Sequence, residues 1–378
     1  MKIKLLYFVN VDWFFISHRL DIALKALDKG YEVHIVTTLT KHKKELEDYG
    51  FKVHSVNISR GSSNIFSSIK VFLKFFLLLK KERPDLLHLV TIKPVLLGGI
   101  AARLANIQRV VSSISGMGYL YTNYGLINSL YRKGVSVLYR YALGHSYLEV
   151  IFQNPSDLEL VSSFSKIDKK RTHLIKGSGV NLVNFSFSPL PEGRPIVLLA
   201  SRMLIDKGVR EFVQAARILR LNNTKARFVL VGEPDIENNA SLSIEEIREW
   251  EKNKDIEYWG HSNNMSQTLK QSSIVVLPSY REGMPKVLLE AAAIGRPVVT
   301  TDVPGCRDSI TEGITGILVP LRSVKELAKA IKDLLIDREL CINMGAQGRK
   351  LAEENFDINL VVKQHINIYE GLLESINK

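Results

Sequence analysis

The stretch SIVVLPSYREGMPKVLLEAAAIGRPVVTTD (residues 273–302) packs a strand, a loop, a helix and a second strand into one short segment. SIVVL is a continuous apolar run, the pattern of a strand covered on both faces. A helical stretch then leads to the second run, PVVTT, so the segment is a βαβ unit, which requires a parallel sheet. Two carboxylates stand out. Glu282 lies in the loop, and Glu290 follows eight residues on, about two turns along the helix and on a similar face. Gly283, followed by Met284 and Pro285, lets backbone N–H groups approach a ligand at the helix N-terminus. Two surface glutamates would fit poorly with the apolar neighbours Val287, Leu288 and Leu289.

The same alternation extends in both directions. Upstream lie IVLLAS, ARFVLVG and DIEYWG, each a strand separated from the next by a helical stretch. The first of these ends in Ser201-Arg202 and reaches Asp206-Lys207-Gly208 before a helix. Ligands of open α/β sheets bind at the carboxyl ends of strands, where helix N-termini favour anions. Arg202, as a planar fork, and Lys207, as a point charge, could both reach one diphosphate there. Further back, IKLLYFVN, YEVHIVTT, FKVHSVNI, DLLHLV, RVVSSIS, LEVIFQN and RTHLIKG repeat the strand pattern with amphipathic stretches between them. SFSPLPEGRP (residues 186–195), with three prolines, is the linker between the two series. The expectation is two open α/β domains, covering residues 1–188 and 189–355, with a final helical segment over 356–378.

A length of 378 residues agrees, since single cores stop growing near ~250–300 residues. With 46% hydrophobic and 24% charged residues, the composition excludes disordered, collagen-like and low-complexity classes. Two cysteines, Cys306 and Cys341, make neither a disulfide framework nor a thiolate metal cage, which suggests a reduced, cytoplasmic setting. No apolar run reaches the ~18–20 residues of a membrane span, and the start MKIKLLYFVNVDWFF lacks a small-residue cleavage site.

The net charge of +12 is unevenly placed. Residues 1–180 hold 26 Lys/Arg against 13 Asp/Glu, whereas the remainder holds 25 against 26. One half therefore suits an anionic partner: nucleic acid, phosphorylated substrate or acidic membrane surface. SSIKVFLKFFLLLKKERP (residues 67–84) reads either as a buried helix ending in lysines or as an interfacial helix on acidic lipid. INSLYRKGVSVLYRYAL (residues 127–143) interleaves Tyr, Leu and Val with Arg132, Lys133 and Arg140, as suits a lipid headgroup boundary. Stacking on single-stranded nucleic acid would use similar residues, but no nucleic-acid motif accompanies them, so lipid is favoured.

Other chemistries lose their main support. There is no G-x-G-x-x-G after a first strand, no phosphate loop ending in GK[ST], and no HExxH, CxxC or EF-hand spacing. His34, His54 and His88 lie in strand-like runs, where histidines are more often structural. No metal site is expected.

Taken together, Glu-Gly-Met-Pro-x4-Glu at 282–290 is similar to the E-x7-E motif of family 4 retaining glycosyltransferases. SRMLIDKG (residues 201–208) matches that family's Arg-x4-Lys-Gly loop, GVN (residues 179–181) its usual GVD, and GITGILVP (residues 313–320) its late G-x-x-G-x-L-V. The resemblance implies an α/β GT-B fold: two Rossmann-like domains facing a central cleft, with the C-terminal segment crossing back to the first. It implies a nucleotide-sugar donor in the second domain, an acceptor in the first, metal independence and retained anomeric configuration. Carried onto this chain, Arg202 and Lys207 stabilise the leaving diphosphate. Glu290 holds the ribose hydroxyls. Glu282, with Gly283, Met284, Pro285, Lys286 and Val287, contacts the donor sugar as a positioning group, and Gly232 is a further donor-binding candidate. No cofactor is implied beyond the UDP-sugar co-substrate.

The first half departs from the commoner family pattern. NVDWFFISHR lacks the usual Gly-Gly pair, and Ser115-Gly116-Met117-Gly118 stands where many members place a histidine. His18 is the substitute candidate. The forms SGMGYLY, SHR and FQN resemble a subgroup of bacterial polysaccharide-assembly transferases whose acceptors are polyprenyl-diphosphate sugars. That subgroup's likeness makes His18, Arg19, Lys93, Ser115, Gly116, Gly118 and Asn154 the acceptor candidates. It also implies a peripheral position on the anionic inner face of the cytoplasmic membrane. Competing readings are a transferase for a soluble acceptor, a GT-B-shaped sugar-nucleotide epimerase, and a non-catalytic membrane-binding module.

Overall fold

The computed structural model describes residues 2–58, 65–116, 126–235 and 237–374. Its chain divides into two compact units, residues 1–178 with 359–378, and residues 179–358. In the first unit the strands are β1 (Lys4–Val11), β2 (Glu32–Thr38), β3 (Lys52–Ser55), β4 (Leu86–Val90), β5 (Arg109–Ile114), β6 (Tyr147–Phe152) and β7 (Thr172–Leu174). They form one sheet in the order β3-β2-β1-β4-β5-β6-β7, parallel throughout. The strand order reverses between β1 and β4, which makes the carboxyl ends of those strands the switch point where ligands bind in such sheets.

Side-chain alternation on β1 explains why the run reads as uniformly apolar. Leu6 and Phe8 pack with Val71, Phe75 and Leu79 of the Ile65–Glu82 helix, while Leu5, Tyr7 and Val9 pack with Phe15, Ile22 and Ala26 of the Asp12–Asp28 helix. Both faces are covered, so neither tolerates polar residues without partners.

The Ile358–Glu374 helix belongs to the first unit through Val361, Ile366, Tyr369 and Leu372. A buried relay fixes it. The Tyr369 and Tyr7 hydroxyls lie 2.9 Å apart, Tyr369 Oη is 2.6 Å from His88 Nδ1, and His88 Nε2 is 2.7 Å from Ser113 Oγ. Burial holds the His88 imidazole well below its ordinary pKa, so it takes part as a neutral ring. His88 is thus structural.

The second unit holds β8 (Ile196–Ala200), β9 (Arg227–Val231), β10 (Glu257–Gly260), β11 (Ile274–Leu277), β12 (Val298–Thr301) and β13 (Gly316–Val319). Their order is β10-β9-β8-β11-β12-β13, again parallel, with the switch point between β8 and β11.

The division falls ten residues earlier than the expected 188/189 boundary. Val180 N donates to Phe356 O at 2.7 Å, and Ile358 N donates to Val180 O at 3.0 Å. Buried Arg296 donates to Ser188 O and Pro189 O at 2.6 and 3.1 Å. The proline-rich segment is therefore anchored in the second unit. Proline density reports that a segment is not helical, but it does not report which core the segment lies on.

Candidate donor and acceptor sites

At the switch point of the second sheet, three loops meet. β8 leads into Ser201-Arg202 and the short turn Ile205–Lys207, β9 into Gly232, and β11 into Ser279 through Pro285. Two glycines allow the approach. Gly208 has φ +69°, and a Cβ there would sit 2.1 Å from Pro278 O. Gly232 has φ +127°, and its Cβ would sit 1.8 Å from Ser201 O. Any larger residue would push these loops apart.

The charged side chains of these loops are paired. Lys207 Nζ donates to Glu282 Oε1. Arg202 Nη1 lies 2.7 Å from Asp235 Oδ2, and Lys286 Nζ 3.7 Å from Glu290 Oε1. Lys207 and Glu282 are mostly buried, so their attraction is screened less than that of a surface pair.

Gly283, Met284 and Pro285 are buried at the head of the Lys286–Ile294 helix. No side-chain hydrogen bond caps this helix, and its N-terminus lies at the loop cluster, a position that favours anions. Glu290 sits in the second turn and is almost fully buried. Burial pushes its carboxyl up to about 7, against the opposing pull of Lys286. A carboxyl shifted this far by burial, with a charge partner beside it, marks a candidate functional residue.

Sequence reading missed Asp235. It lies after β9 in VGEPD, its side chain is nearly buried, and it pairs with Arg202. Its position at the carboxyl end of a strand was the available signal.

The first unit presents a different site. Lys93 follows β4 and is half-buried, with its ammonium lowered by burial. Thr91 has φ +75°, a costly conformation for a β-branched residue and a mark of functional backbone. Asn10 Oδ1, Thr91 Oγ1 and Ser115 Oγ are buried and have no hydrogen-bond partner among the described residues. They come from the carboxyl ends of β1, β4 and β5, at and beside the switch point. Gly116, with φ +105°, follows Ser115, while Gly118 lies outside the described residues.

Arg19 and Asn154 depart from the expected acceptor contacts, while His18 lies in the second turn of the Asp12–Asp28 helix. Its ring stacks on Phe14 with centroids 4.0 Å apart, and Nδ1 is 3.2 Å from Phe14 O. Arg19 is buried, since it falls on the same helix face as Phe15, Ile22, Ala23 and Ala26. It points towards the core and donates to His18 O at 2.8 Å, so it does not join Lys93 at the surface. Asn154 is fully buried as the N-cap of the Pro155–Phe164 helix. Its Oδ1 accepts from Asp157 N at 2.8 Å and its Nδ2 donates to Asp157 Oδ2 at 2.8 Å, a capping role rather than a ligand contact.

Two doubly wound parallel sheets, with cations and carboxylates at the switch point of the second, have the architecture of a nucleotide-binding α/β protein. Residues 183–351 match the family Glycosyl transferases group 1, and residues 4–154 match Glycosyl transferase 4-like. The chain belongs to the family 4 glycosyltransferases, which are retaining enzymes that transfer sugar without a metal.

Among curated relatives, it is 29% identical over 368 residues to the N,N'-diacetylbacillosaminyl-diphospho-undecaprenol alpha-1,3-N-acetylgalactosaminyltransferase of Campylobacter jejuni. That alignment covers 93% of this chain and 95% of the relative. It is 25% identical over 331 residues to the UDP-Gal:alpha-D-GlcNAc-diphosphoundecaprenol alpha-1,3-galactosyltransferase of Escherichia coli, covering 83% and 82%. In fold it is similar to Anabaena HepE, solved with UDP and glucose, at a TM-score of 0.75 and 16% identity, covering 97% and 99% of the two chains.

Proposed function

We propose that this glycosyltransferase moves a hexose or N-acetylhexosamine from a UDP-sugar to a polyprenyl-diphosphate-linked saccharide. The observation that carries the donor half is the meeting of Arg202, Lys207, Glu282 and Glu290 at the switch point of the second sheet. Arg202 and Lys207 neutralise the leaving diphosphate, together with the N–H groups heading the Lys286–Ile294 helix. Glu290 accepts from the ribose hydroxyls in its ionised form. Glu282 is engaged by Lys207, which suits a carboxylate that positions the sugar rather than attacks it. The acceptor hydroxyl then attacks the anomeric carbon from the face that the diphosphate leaves, and its proton passes to the leaving phosphate oxygen. Trapping of a glycosyl–enzyme adduct would overturn that route.

The acceptor half is supported by the first-unit switch point, with Lys93 for a diphosphate and Ser115 for a sugar, and by the names of the relatives above. For the Campylobacter and Escherichia enzymes those names specify undecaprenyl-diphosphate-linked acceptors.

Docking on an anionic membrane surface is supported by the Ile65–Glu82 helix. Phe66, Ile69, Leu73 and Leu77 form an exposed apolar stripe, with Phe66 83% and Leu77 65% exposed. Lys70, Lys74, Lys80 and Lys81 are exposed on the same helix. Apolar insertion beside lysines is how a helix lies on acidic lipid. None of the described helices is long and apolar enough to cross a membrane.

The test is transfer from a panel of UDP- and GDP-sugars onto a polyprenyl-diphosphate-sugar in anionic vesicles, with Glu290→Ala as control. Product from one donor, lost in the control, is expected. Donor turnover without lipid product would move the acceptor to the soluble class. Vesicle binding that did not weaken with added salt would remove the electrostatic part of the docking.

A further inference from the structure

Far from both switch points, three ligand atoms of the first unit point at one another. His34 Nδ1 on β2 lies 3.1 Å from His54 Nε2 on β3 and 3.7 Å from Glu82 Oε2, at the end of the Ile65–Glu82 helix. All three ligand atoms lie within 4.8 Å of one another. Nitrogen and oxygen ligands bonded to zinc at ~2.0–2.1 Å in a tetrahedron stand roughly 3.3–3.5 Å apart, so the observed edges bracket the required ones.

The surroundings set the tautomer. His34 is buried, and its Nε2 lies 2.7 Å from Glu32 Oε1, while Lys52 Nζ lies 2.8 Å from the same oxygen. Glu32 Oε1, which also accepts from Lys52 Nζ, is placed to accept from His34 Nε2, and that bond puts the proton of the His34 ring on Nε2. The lone pair is then on Nδ1, facing the cluster. A carboxylate behind a ligating imidazole is the usual outer partner of a metal-bound histidine. His54 Nε2 faces the same point from β3.

We propose that His34, His54 and Glu82 form a structural zinc site, with water as the fourth ligand. Two imidazoles and one carboxylate suit zinc better than calcium or magnesium, which prefer oxygen ligands. The site is structural because of its place in the fold. His34 is the third residue of β2, and Glu82 precedes β4, which puts the cluster at the amino-terminal edge of the sheet, opposite the ligand-binding ends. Zinc there ties the end of the Ile65–Glu82 helix to the edge strand β3 and its neighbour β2. Its competitor is Lys4, whose ammonium is 3.0 Å from Glu82 Oε2 and 2.7 Å from Glu82 O.

The test is calorimetric titration of the chelator-stripped full chain with zinc chloride, alongside thermal unfolding with and without the metal. One equivalent of zinc should bind, raise Tm, and yield the intense visible bands of a tetrahedral site when cobalt replaces it. His54→Gln and Glu82→Gln should each weaken binding at least ~10-fold and abolish the Tm rise, because removing one ligand of three costs that much or more. Lys4→Met should tighten binding by freeing Glu82, which keeps the test informative if a ligand variant folds poorly. Failure of the wild-type chain to take up one equivalent would overturn the site, as would zinc stabilisation that survives both ligand substitutions. Sugar transfer should proceed equally with and without chelator, so a failed zinc titration leaves the transferase reading standing.

Discussion

The carboxyl-terminal edges of the two sheets share a topology and differ in chemistry. At the second sheet, the cations Arg202, Lys207 and Lys286 each have a carboxylate nearby, held by loops that touch through Gly208 and Gly232. At the first, Asn10, Thr91 and Ser115 keep hydrogen-bonding capacity that no described residue uses, beside half-buried Lys93 and buried Asp12, whose side chain accepts from Trp13, Thr40 and His42. A diphosphate carries dense charge, so its site needs preorganised cations kept in place by their own counterions. A saccharide offers hydroxyls, so neutral donors and acceptors suffice, and buried groups without partners are costly unless a ligand serves them. On the proposed function, the same doubly wound scaffold would support two kinds of recognition through the residues at its strand ends.

The sharpest way to break this comparison is to remove one donor-site cation. Lys207→Ala should lower kcat/KM by ~10²–10³-fold, the usual cost of losing a preorganised electrostatic group, and it also leaves Glu282 without that partner. Steady-state kinetics with Lys93→Ala in parallel checks the assignment. An equal loss of donor turnover in both variants would mean that the two edges are not specialised.

Gly232→Ala probes the loop contact instead. With φ +127° and a Cβ forced to within 1.8 Å of Ser201 O, it should destabilise the protein by ~2–3 kcal/mol and weaken nucleotide binding. Urea unfolding, paired with UDP titration of the folded fraction, separates these two effects.

Glu290 makes the donor edge sensitive to pH. Because its carboxyl is raised from 4.5 to about 7, protonation favours the fold: that stability is fully present below 4.5 and is lost as pH rises through 7. Donor binding needs the ionised form and so runs the other way. Donor KM should rise as pH falls below about 7, by up to ~10-fold per unit. Glu290→Gln should flatten both profiles, and a wild-type KM constant from pH 6 to 8 would refute the ribose role.

The smallest effect belongs to the first unit. His18→Ala should raise acceptor KM by ~2–10-fold, the worth of one hydrogen bond, with donor KM unchanged. Unimpaired turnover would leave His18 with only its stacking on Phe14.

The proposed donor residues could be named from the sequence because they lie at strand ends within short motifs. The structure pairs Lys207 with Glu282 across two of those motifs. Asp235 was not legible, since it belongs to a third loop that only the β9–β8 pairing brings to Arg202. The acceptor side was read less well for a related reason. Arg19 and Asn154 look like surface polar residues in a list, but helix phase buries one and a capping geometry uses the other.

By itself, the sequence determined the parallel α/β class, the two-part organisation and the donor motif. Apolar runs, helix spacing and loop residues are local properties that survive without knowledge of neighbours. Tertiary structure alone decided which unit holds residues 179–188, which polar side chains are buried, and that His34, His54 and Glu82 meet. Those three residues come from two strands and a helix, as far as 48 positions apart along the chain. Their distances are set by sheet register and helix packing, and neither leaves a signature in the spacing of residues along one strand.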